Sequence, residues 1–156
     1  MDYILNLDYI LNFETLDKDS LPMVGGKNAS LGEMIKAGVR VPPGFAVTTD
    51  SYLSFITETG IKDKISEILK KTRRDDVRSL DEVSAEIQAL IKTTPMNDNV
   101  QAAIRMGYLE LCRECNVEDL PVAVRSSATA EDLPTASFAG QQDTYLWVVG
   151  TANIIN

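Results

Sequence analysis

Apolar residues recur at helical spacing through the middle of the chain. The first stripe, Leu31, Met34 and Ile35, follows Asn28 and predicts a helix that stops at Gly38. Four further stripes predict four more helices, and they consist of Tyr52, Phe55 and Ile56; Ile61, Ile65, Ile68 and Leu69; Leu80, Val83, Ile87, Leu90 and Ile91; and Val100, Ile104, Tyr108, Leu111, Cys112 and Cys115.

Capping and helix-breaking residues mark several of these boundaries. Thr49 or Asp50 can accept hydrogen bonds from the first backbone N–H groups of the second helix. Ser79 and Glu82 have the spacing of a capping box at the start of the fourth helix. Pro95 stops that helix because proline has no backbone N–H to continue it.

Short apolar runs on both sides of the helical block predict strands. They cover residues 8–12, 45–48, 122–125 and 143–149. The last two runs are separated by a loop rich in small polar residues, 126–142, and an unstructured segment of that length usually has a function or is mobile. The pattern therefore predicts an α/β fold, with a helical block flanked by strands and a mobile loop.

The organisation is predicted to be one domain over residues 1–156. The sequence Asp-Tyr-Ile-Leu-Asn occurs twice, at residues 2–6 and 8–12, and the second copy is interpreted as the first strand. Residues 1–8 are accordingly a possible extra or tag-like segment. The chain ends soon after the last predicted strand, as expected for part of a longer protein.

Composition narrows the possible functions. Hydrophobic residues make up 44% and charged residues 24% of the 156 positions, as in ordinary globular domains. A net charge of −8 opposes general binding to nucleic acid or anionic membranes. No apolar run reaches the roughly 18 residues of a transmembrane helix, and no secretion signal is visible. With only 2 cysteines, a cytoplasmic location is expected.

Histidine is absent from the sequence. This excludes a Ser-His-Asp triad, a Cys-His pair, a histidine-ligated zinc and a phosphohistidine carried on this chain. Two cysteines cannot form a four-thiolate metal site, and no metal site is predicted from these residues. Any chemistry must therefore use lysine, arginine, carboxylates, hydroxyls and the backbone.

A lysine follows two glycines in the segment Val24–Asn28, at the predicted entrance of the first helix. Glycines permit close backbone approach, and Lys27 would direct its ammonium to an anion near the helix N–H groups. The segment is not a Walker A motif, since Asn28 stands where serine or threonine is needed. By spacing alone, a flexible turn with a solvated lysine is the better interpretation.

Arg125 stands at the carboxyl end of a predicted strand, with Ser126 and Ser127 beside it. A rigidly held guanidinium can bind two phosphate oxygens at once, and ligands of α/β sheets gather at this end of strands. An ion pair between Arg125 and Glu131 or Asp132 is an equally good explanation of the same residue.

The loop residues 137–144 could close backbone N–H groups over phosphates, with Gly140 allowing close approach and Thr144 adding a hydroxyl. A plain surface loop is the alternative. Three other groups are interpreted without chemistry: Glu131 and Asp132 as solvated charges instead of acid/base groups or magnesium ligands, Cys112 and Cys115 as core residues instead of a redox pair, and residues 70–74 as an exposed basic helix end.

Three segments in this order resemble one known family: Val24–Met34, Val41–Phe45 and Val122–Pro134, continued by residues 136–146. They resemble the N-terminal nucleotide-binding domain of phosphoenolpyruvate synthases. The wider family includes pyruvate phosphate dikinase, rifampin phosphotransferase and phenylphosphate synthase. The resemblance covers roughly residues 9–150 and is highly specific for this superfamily.

The resemblance implies the N-terminal portion of an ATP-grasp-like domain that binds ATP with Mg²⁺. By matching positions, Lys27 and Arg125 would contact the ATP phosphates and act as the catalytic cations. Gly140 would supply a backbone contact from the loop over the phosphates, and Thr144 would form a hydrogen bond nearby. The magnesium-binding carboxylates and the adenine pocket are expected outside this segment.

The activity implied by the resemblance is conversion of ATP, pyruvate and water to AMP, phosphoenolpyruvate and phosphate. A histidine on another domain, in the same or a partner chain, would carry the phosphoryl group to an acceptor domain, so this segment alone is expected to be inactive. The alternatives are a nucleotide-binding subunit of a split dikinase such as phenylphosphate synthase, or an enzyme like pyruvate phosphate dikinase or rifampin phosphotransferase. Asparagine frequently follows the Tyr-Leu pair in this family, whereas Trp147 follows it here.

Overall fold

The computed structural model describes residues 9–72, 76–129 and 143–156 of the chain. Within these residues helices and strands are mixed, as the sequence predicts. The elements are β1 (Ile10–Asn12), α1 (Leu21–Lys36), β2 (Phe45–Val47), α2 (Thr49–Glu58), α3 (Ile61–Lys70), α4 (Val77–Thr93), α5 (Asp98–Glu114), β3 (Val122–Arg125), β4 (Thr144–Val148) and α6 (Thr151–Ile155). Two short 3₁₀ helices, Phe13–Thr15 and Lys18–Ser20, connect β1 to α1.

The chain divides into two compact units. One comprises residues 1–51 and 99–156, and the other comprises residues 52–98. In the smaller unit α3 packs against α4, and Ile68 of α3 and Val83 of α4 are buried. No helix among the described residues has both the length and the apolar character needed to cross a membrane.

A network of polar side chains lies at the edge of the smaller unit. The Asn97 amide donates hydrogen bonds to Ser54 Oγ (2.9 Å) and Glu58 Oε2 (2.7 Å). The hydrogen bond from Ser54, and to a smaller extent the one from Asn97, lowers the pKa of Glu58 below its ordinary value. The network therefore favours the charged form of Glu58 and ties the residue before α5 to the end of α2.

The larger unit is built on an antiparallel pair of strands packed against α1. Strands β1 and β2 place Leu11 opposite Ala46. Leu16, Val24 and Ala46 form a buried cluster, and Leu11 and Phe13 pack against it. Because Leu16 has no exposed surface at all, this cluster fixes the first half of α1 on the small sheet.

An ion pair anchors the far end of α1. Lys36 Nζ lies 2.8 Å from Asp17 Oδ2, and Asp17 also caps the 3₁₀ helix that precedes α1. The hydrogen bond from Lys36 is the main reason why the pKa of Asp17 falls below its ordinary value. The ionised carboxylate therefore joins both ends of the segment between residues 17 and 36.

A second antiparallel pair, β3 with β4, belongs to the same unit. The apolar stripe predicted for α5 is confirmed, since Val100, Ile104, Tyr108, Leu111 and Cys112 are all buried. Cys115 lies beyond the end of α5, is half-buried, and like Cys112 is a free thiol. Core packing thus accounts for Cys112.

The structure corrects three predicted boundaries. Helix α1 begins at Leu21 and is broken at Gly25, so a short helical segment precedes the helix predicted to follow the two glycines. The capping box of Ser79 and Glu82 is wrong: the Asp76 side chain accepts hydrogen bonds from the N–H groups of Arg78 and Ser79 and starts α4 earlier, at Val77. A short helix, α6, follows β4, so that strand is not the last element.

Four apolar positions on the predicted helical stripes are exposed instead. They are Met34 (40% of its accessible surface), Tyr52 (50%), Leu69 (53%) and Leu80 (43%). All four lie close to the beginning or the end of their helices, where an apolar spacing alone does not tell whether another element covers the turn. The strands are also slightly shorter than predicted at residues 9, 48, 143 and 149.

Candidate functional site

Helix α1 is interrupted at Gly25, whose φ of 76° and ψ of 165° are not helical. Glycine adopts this conformation at little cost because it has no Cβ. The helix restarts at Gly26 and places Lys27 in the first turn of the restarted segment. Backbone N–H groups in a first turn carry partial positive charge. The Lys27 ammonium therefore adds to a region that is already electropositive.

The residues that follow β3 pack directly against this interruption. Ser127 Oγ donates a hydrogen bond to the Val24 carbonyl oxygen (3.0 Å), and the Gly26 N–H donates to the Ala128 carbonyl oxygen (3.4 Å). A Cβ on Gly25 would lie 2.9 Å from the carbonyl carbon and oxygen of Ala128 and would collide with Ser127 Oγ. The close approach therefore requires glycine at position 25.

The Lys27 side chain reaches the same segment. Its Nζ donates a hydrogen bond to the Ser126 carbonyl oxygen at 3.2 Å, although the two residues are 99 positions apart. Ser126 directly follows Arg125, so this hydrogen bond holds the Lys27 side chain against the residue next to Arg125.

Arg125 and Thr144 lie directly opposite each other in the β3–β4 pair, and both are exposed. Side chains of directly opposed residues project from the same face of a sheet. Beyond this pair, the N–H and Oγ of Ser126 both donate to the Asp143 carbonyl oxygen, each at 3.2 Å. Lys27, Arg125 and Thr144 thus occupy one corner of the larger unit, at the end of β3–β4 that contacts α1.

Three predicted or alternative site residues fall outside the described part of the chain. They are Gly140, Glu131 and Asp132. Arg125 forms no ion pair with any residue in the ranges 9–72, 76–129 and 143–156, so its pairing with one of the two loop carboxylates stays an open alternative.

The described residues do not supply a magnesium site. None of the described aspartates, glutamates and cysteines forms a group of three or more that could hold a metal ion.

Two cavities in the larger unit lie away from this corner. One, of about 230 Å³, borders α1 and is lined by Lys18, Leu21, Gly26, Ala29, Ser30 and Glu33. The other, of about 260 Å³, lies between β1, the turn before β2, and α5. Neither is lined by Lys27, Arg125 or Thr144. Arg125 is exposed at this corner, and Lys27 is half-buried.

Strand β4 contains an irregularity that places Trp147 in an unusual conformation. Val122 pairs with Val148 and Val124 with Tyr145, so one residue of β3 faces two residues of β4, Leu146 and Trp147. This two-against-one count is that of a β-bulge. Trp147 has a φ of 61°, in the left-handed region, and 80% of its side chain is exposed.

Replacing Trp147 with asparagine is expected to stabilise the chain by about 1 kcal/mol, because asparagine tolerates the left-handed region and tryptophan does not. Little packing is lost, since the side chain is 80% exposed. Denaturant unfolding of the two proteins measures the change. Trp147→Phe is the matched control, because it keeps the strain and should gain nothing. If both variants unfold at the same denaturant concentration, the strain explanation is wrong.

Two polar side chains form hydrogen bonds between chain segments that the sequence did not predict. Ser127 was interpreted as a hydroxyl available beside Arg125, but its Oγ binds the Val24 carbonyl oxygen and joins β3 to α1. Tyr108 was predicted only as a core residue, but its buried hydroxyl bonds to backbone groups next to β3 and β4. A tyrosine within an apolar stripe could have signalled the second role, since a buried phenol usually has a hydrogen-bond partner.

The basic run at residues 70–74 begins at the end of α3, in the smaller unit. Lys71 forms an ion pair of 3.3 Å with Glu86, and both side chains are at least half exposed. An exposed pair of this kind contributes little to stability. Arg73 and Arg74 lie outside the described residues.

Comparison with known proteins identifies relatives over nearly the whole chain. A probable phosphoenolpyruvate synthase of Staphylothermus marinus is 52% identical over 149 residues, covering 94% of this chain and 18% of the relative. One from Methanothermobacter thermautotrophicus is 45% identical, with 95% and 22% covered. The phosphoenolpyruvate synthase of Neisseria meningitidis is 45% identical, with 94% and 19% covered. The chain thus spans about a fifth of the length of these relatives.

The family of the chain follows from a separate match. The model of the pyruvate phosphate dikinase AMP/ATP-binding domain matches residues 21–156, which include α1, both strands of the β3–β4 pair, and the corner between them. The chain belongs to the pyruvate phosphate dikinase AMP/ATP-binding domain family.

Proposed function

We propose that this chain holds the phosphates of ATP in a phosphotransferase of the phosphoenolpyruvate synthase type, and that Lys27 and Arg125 are the cations that do so. The observation that carries the proposal is the hydrogen bond from Lys27 Nζ to the carbonyl oxygen of Ser126, next to Arg125. It joins two motifs that are far apart in sequence and supports a site that combines the half-buried Lys27 with the exposed Arg125.

The corner suits a polyphosphate for three physical reasons. The guanidinium of Arg125 can bind two phosphate oxygens at once, whereas the ammonium of Lys27 acts as a compact positive charge. The restarted helix contributes backbone N–H groups beside Lys27. In a protein with a net charge of −8, attraction of an anion has to come from such a local group of donors.

Transfer of a phosphoryl group depends mainly on positioning and on stabilising negative charge, because its transition state is loose and highly charged. Lys27 and Arg125 would stabilise that charge, and Thr144 would place a hydroxyl beside them. Gly140 would add a backbone N–H from the loop that follows. The domain to which this chain contributes would have an ATP-grasp-like architecture.

The complete reaction would convert ATP, pyruvate and water to AMP, phosphoenolpyruvate and phosphate. A histidine must accept the phosphoryl group on another domain or chain, because this chain has none. The names of the relatives favour pyruvate as acceptor over the phenol or antibiotic of other family branches. Two free thiols suit a reducing cytoplasm, which is the proposed location.

Calorimetric titration with ATP and Mg²⁺ tests the phosphate site. The wild-type chain is expected to bind, and Lys27→Ala to bind about tenfold or more weakly, because a charge-assisted hydrogen bond to phosphate contributes roughly 1.5–3 kcal/mol. Lys62→Ala is the control, since it removes the same charge from an exposed position on α3. Equal weakening by both substitutions, or by neither, would contradict the assignment.

A further inference from the structure

A single buried hydroxyl connects the two strands that carry the candidate site. Tyr108 of α5 is only 2% exposed. Its Oη donates a hydrogen bond to the Leu120 carbonyl oxygen at 3.0 Å and accepts one from the Gly150 N–H at 3.1 Å. The phenol thus binds one backbone group on each of two chain segments.

Those two segments enter and leave the β3–β4 pair. Leu120 lies two residues before β3, and Gly150 lies two residues after β4. Val122 and Val148 are paired at this end, whereas Arg125 and Thr144 are paired at the other end. Tyr108 therefore holds the end of the strand pair that is remote from Lys27, and α1 holds the end that contains the cations.

The Tyr108 hydroxyl is protonated at neutral pH, as its hydrogen bond to Leu120 requires. Burial is the main cause that raises the pKa of Tyr108 above its ordinary value, while the hydrogen bond from the Gly150 N–H opposes the rise. Cys112 adjoins the hydroxyl and raises the pKa further. The phenol therefore stays protonated and can donate to Leu120 while it accepts from Gly150.

The strands are short enough for a change at one end to be felt at the other. Strand β3 has four residues and spans on the order of 10 Å. The bulge at Leu146 and Trp147 separates the Val122–Val148 pair from the rest of the ladder, so a single isolated pair holds the end nearest Gly150. An anchor outside the ladder is needed there, and Tyr108 Oη supplies it.

We propose that Tyr108 is a positioning residue, whose hydroxyl fixes the remote end of the β3–β4 pair and thereby sets where Arg125 and Thr144 stand relative to Lys27. Only the consequence for nucleotide binding rests on the function proposed above. The positioning itself is a property of the chain without ligand and can be measured without ATP.

Hydrogen exchange of the Tyr108→Phe variant tests the proposal, since the change keeps the ring and removes only the hydroxyl. Exchange of the Gly150 amide is expected to accelerate about tenfold or more, and the amide of Ser126, at the cation end, to accelerate as well. Ile104→Val loosens the buried face of the same helix, and it should not accelerate either amide more than it accelerates the other amides of the larger unit. Tyr52→Phe removes an exposed hydroxyl and should change nothing.

Three results would overturn the proposal or its consequence, and they can be told apart. Unchanged exchange at Gly150 refutes the anchor, and acceleration at Gly150 without any at Ser126 refutes the positioning. Titration with ATP and Mg²⁺ is read separately: Tyr108→Phe should bind about five- to tenfold more weakly than wild type and than Ile104→Val. A wild-type chain that does not bind ATP contradicts the proposed function, while the exchange result still decides the anchor.

Discussion

Gly25→Ala is expected to destabilise the chain by about 2–4 kcal/mol and to abolish binding of ATP. The new Cβ would meet the backbone of Ala128 at 2.9 Å and collide with Ser127 Oγ. Backbone cannot rotate away as a flexible side chain would, so α1 and the segment after β3 have to separate. That separation breaks the hydrogen bond from Lys27 to Ser126.

Gly38→Ala is a matched control for this experiment. Gly38 has a φ of 77°, almost the same as the 76° of Gly25, but a Cβ there would meet nothing within 4 Å. It therefore carries only the backbone cost of a left-handed alanine, about 1–2 kcal/mol. The difference between the two variants in denaturant unfolding combines the steric contact with the backbone cost of an alanine at the φ of 76° and ψ of 165° of Gly25. Equal destabilisation would show that the contact between α1 and the segment after β3 is not close.

The predicted strands and most helices could be found from sequence because their signals are local. The stripe of α5 is one example: its spacing marks a single buried face, and Val100, Ile104 and Leu111 do lie in the core. Residues 122–125 are another, since a short apolar run after a proline has few alternatives to a strand. For such elements local pattern and tertiary packing agree.

The start of α4 shows where a local rule fails. Two residues near it, Asp76 and Ser79, can each accept hydrogen bonds from helix N–H groups. The spacing of Ser79 and Glu82 fits the capping-box motif. The Asp76 carboxylate, however, accepts hydrogen bonds from the N–H groups of both Arg78 and Ser79, and Asp76 is therefore the N-cap. Sequence alone does not rank two competing caps three residues apart.

The candidate site was only partly visible in the sequence. Lys27 and Arg125 could be named because each follows a pattern that suits anions, and the family resemblance joined them. The contact that brings them together could not be derived, because it depends on the conformation of Gly25 and on the docking of Ser127 against Val24. Long-range contacts of this kind leave no periodic signal.

Loss of the guanidinium at position 125 is expected to have the largest effect on activity. In an enzyme of full length, made by replacing the matching region of the Staphylothermus marinus relative with this chain, Arg125→Ala should lower turnover by about 10²- to 10³-fold. The physical reason is that a fixed positive charge stabilises the transferring phosphates most in the transition state. Arg125→Lys should recover only part of the rate, because an ammonium cannot bind two oxygens in one plane.

Turnover of this hybrid enzyme, assayed as phosphoenolpyruvate formed from ATP and pyruvate, is the most direct test of the account. Arg113→Ala is the control, since that side chain is 74% exposed and forms a surface ion pair with Glu110. We expect Arg113→Ala to keep the wild-type rate and Arg125→Ala to lose at least about two orders of magnitude. An Arg125→Ala enzyme as fast as the Arg113→Ala enzyme would contradict a role for this corner in binding the phosphates.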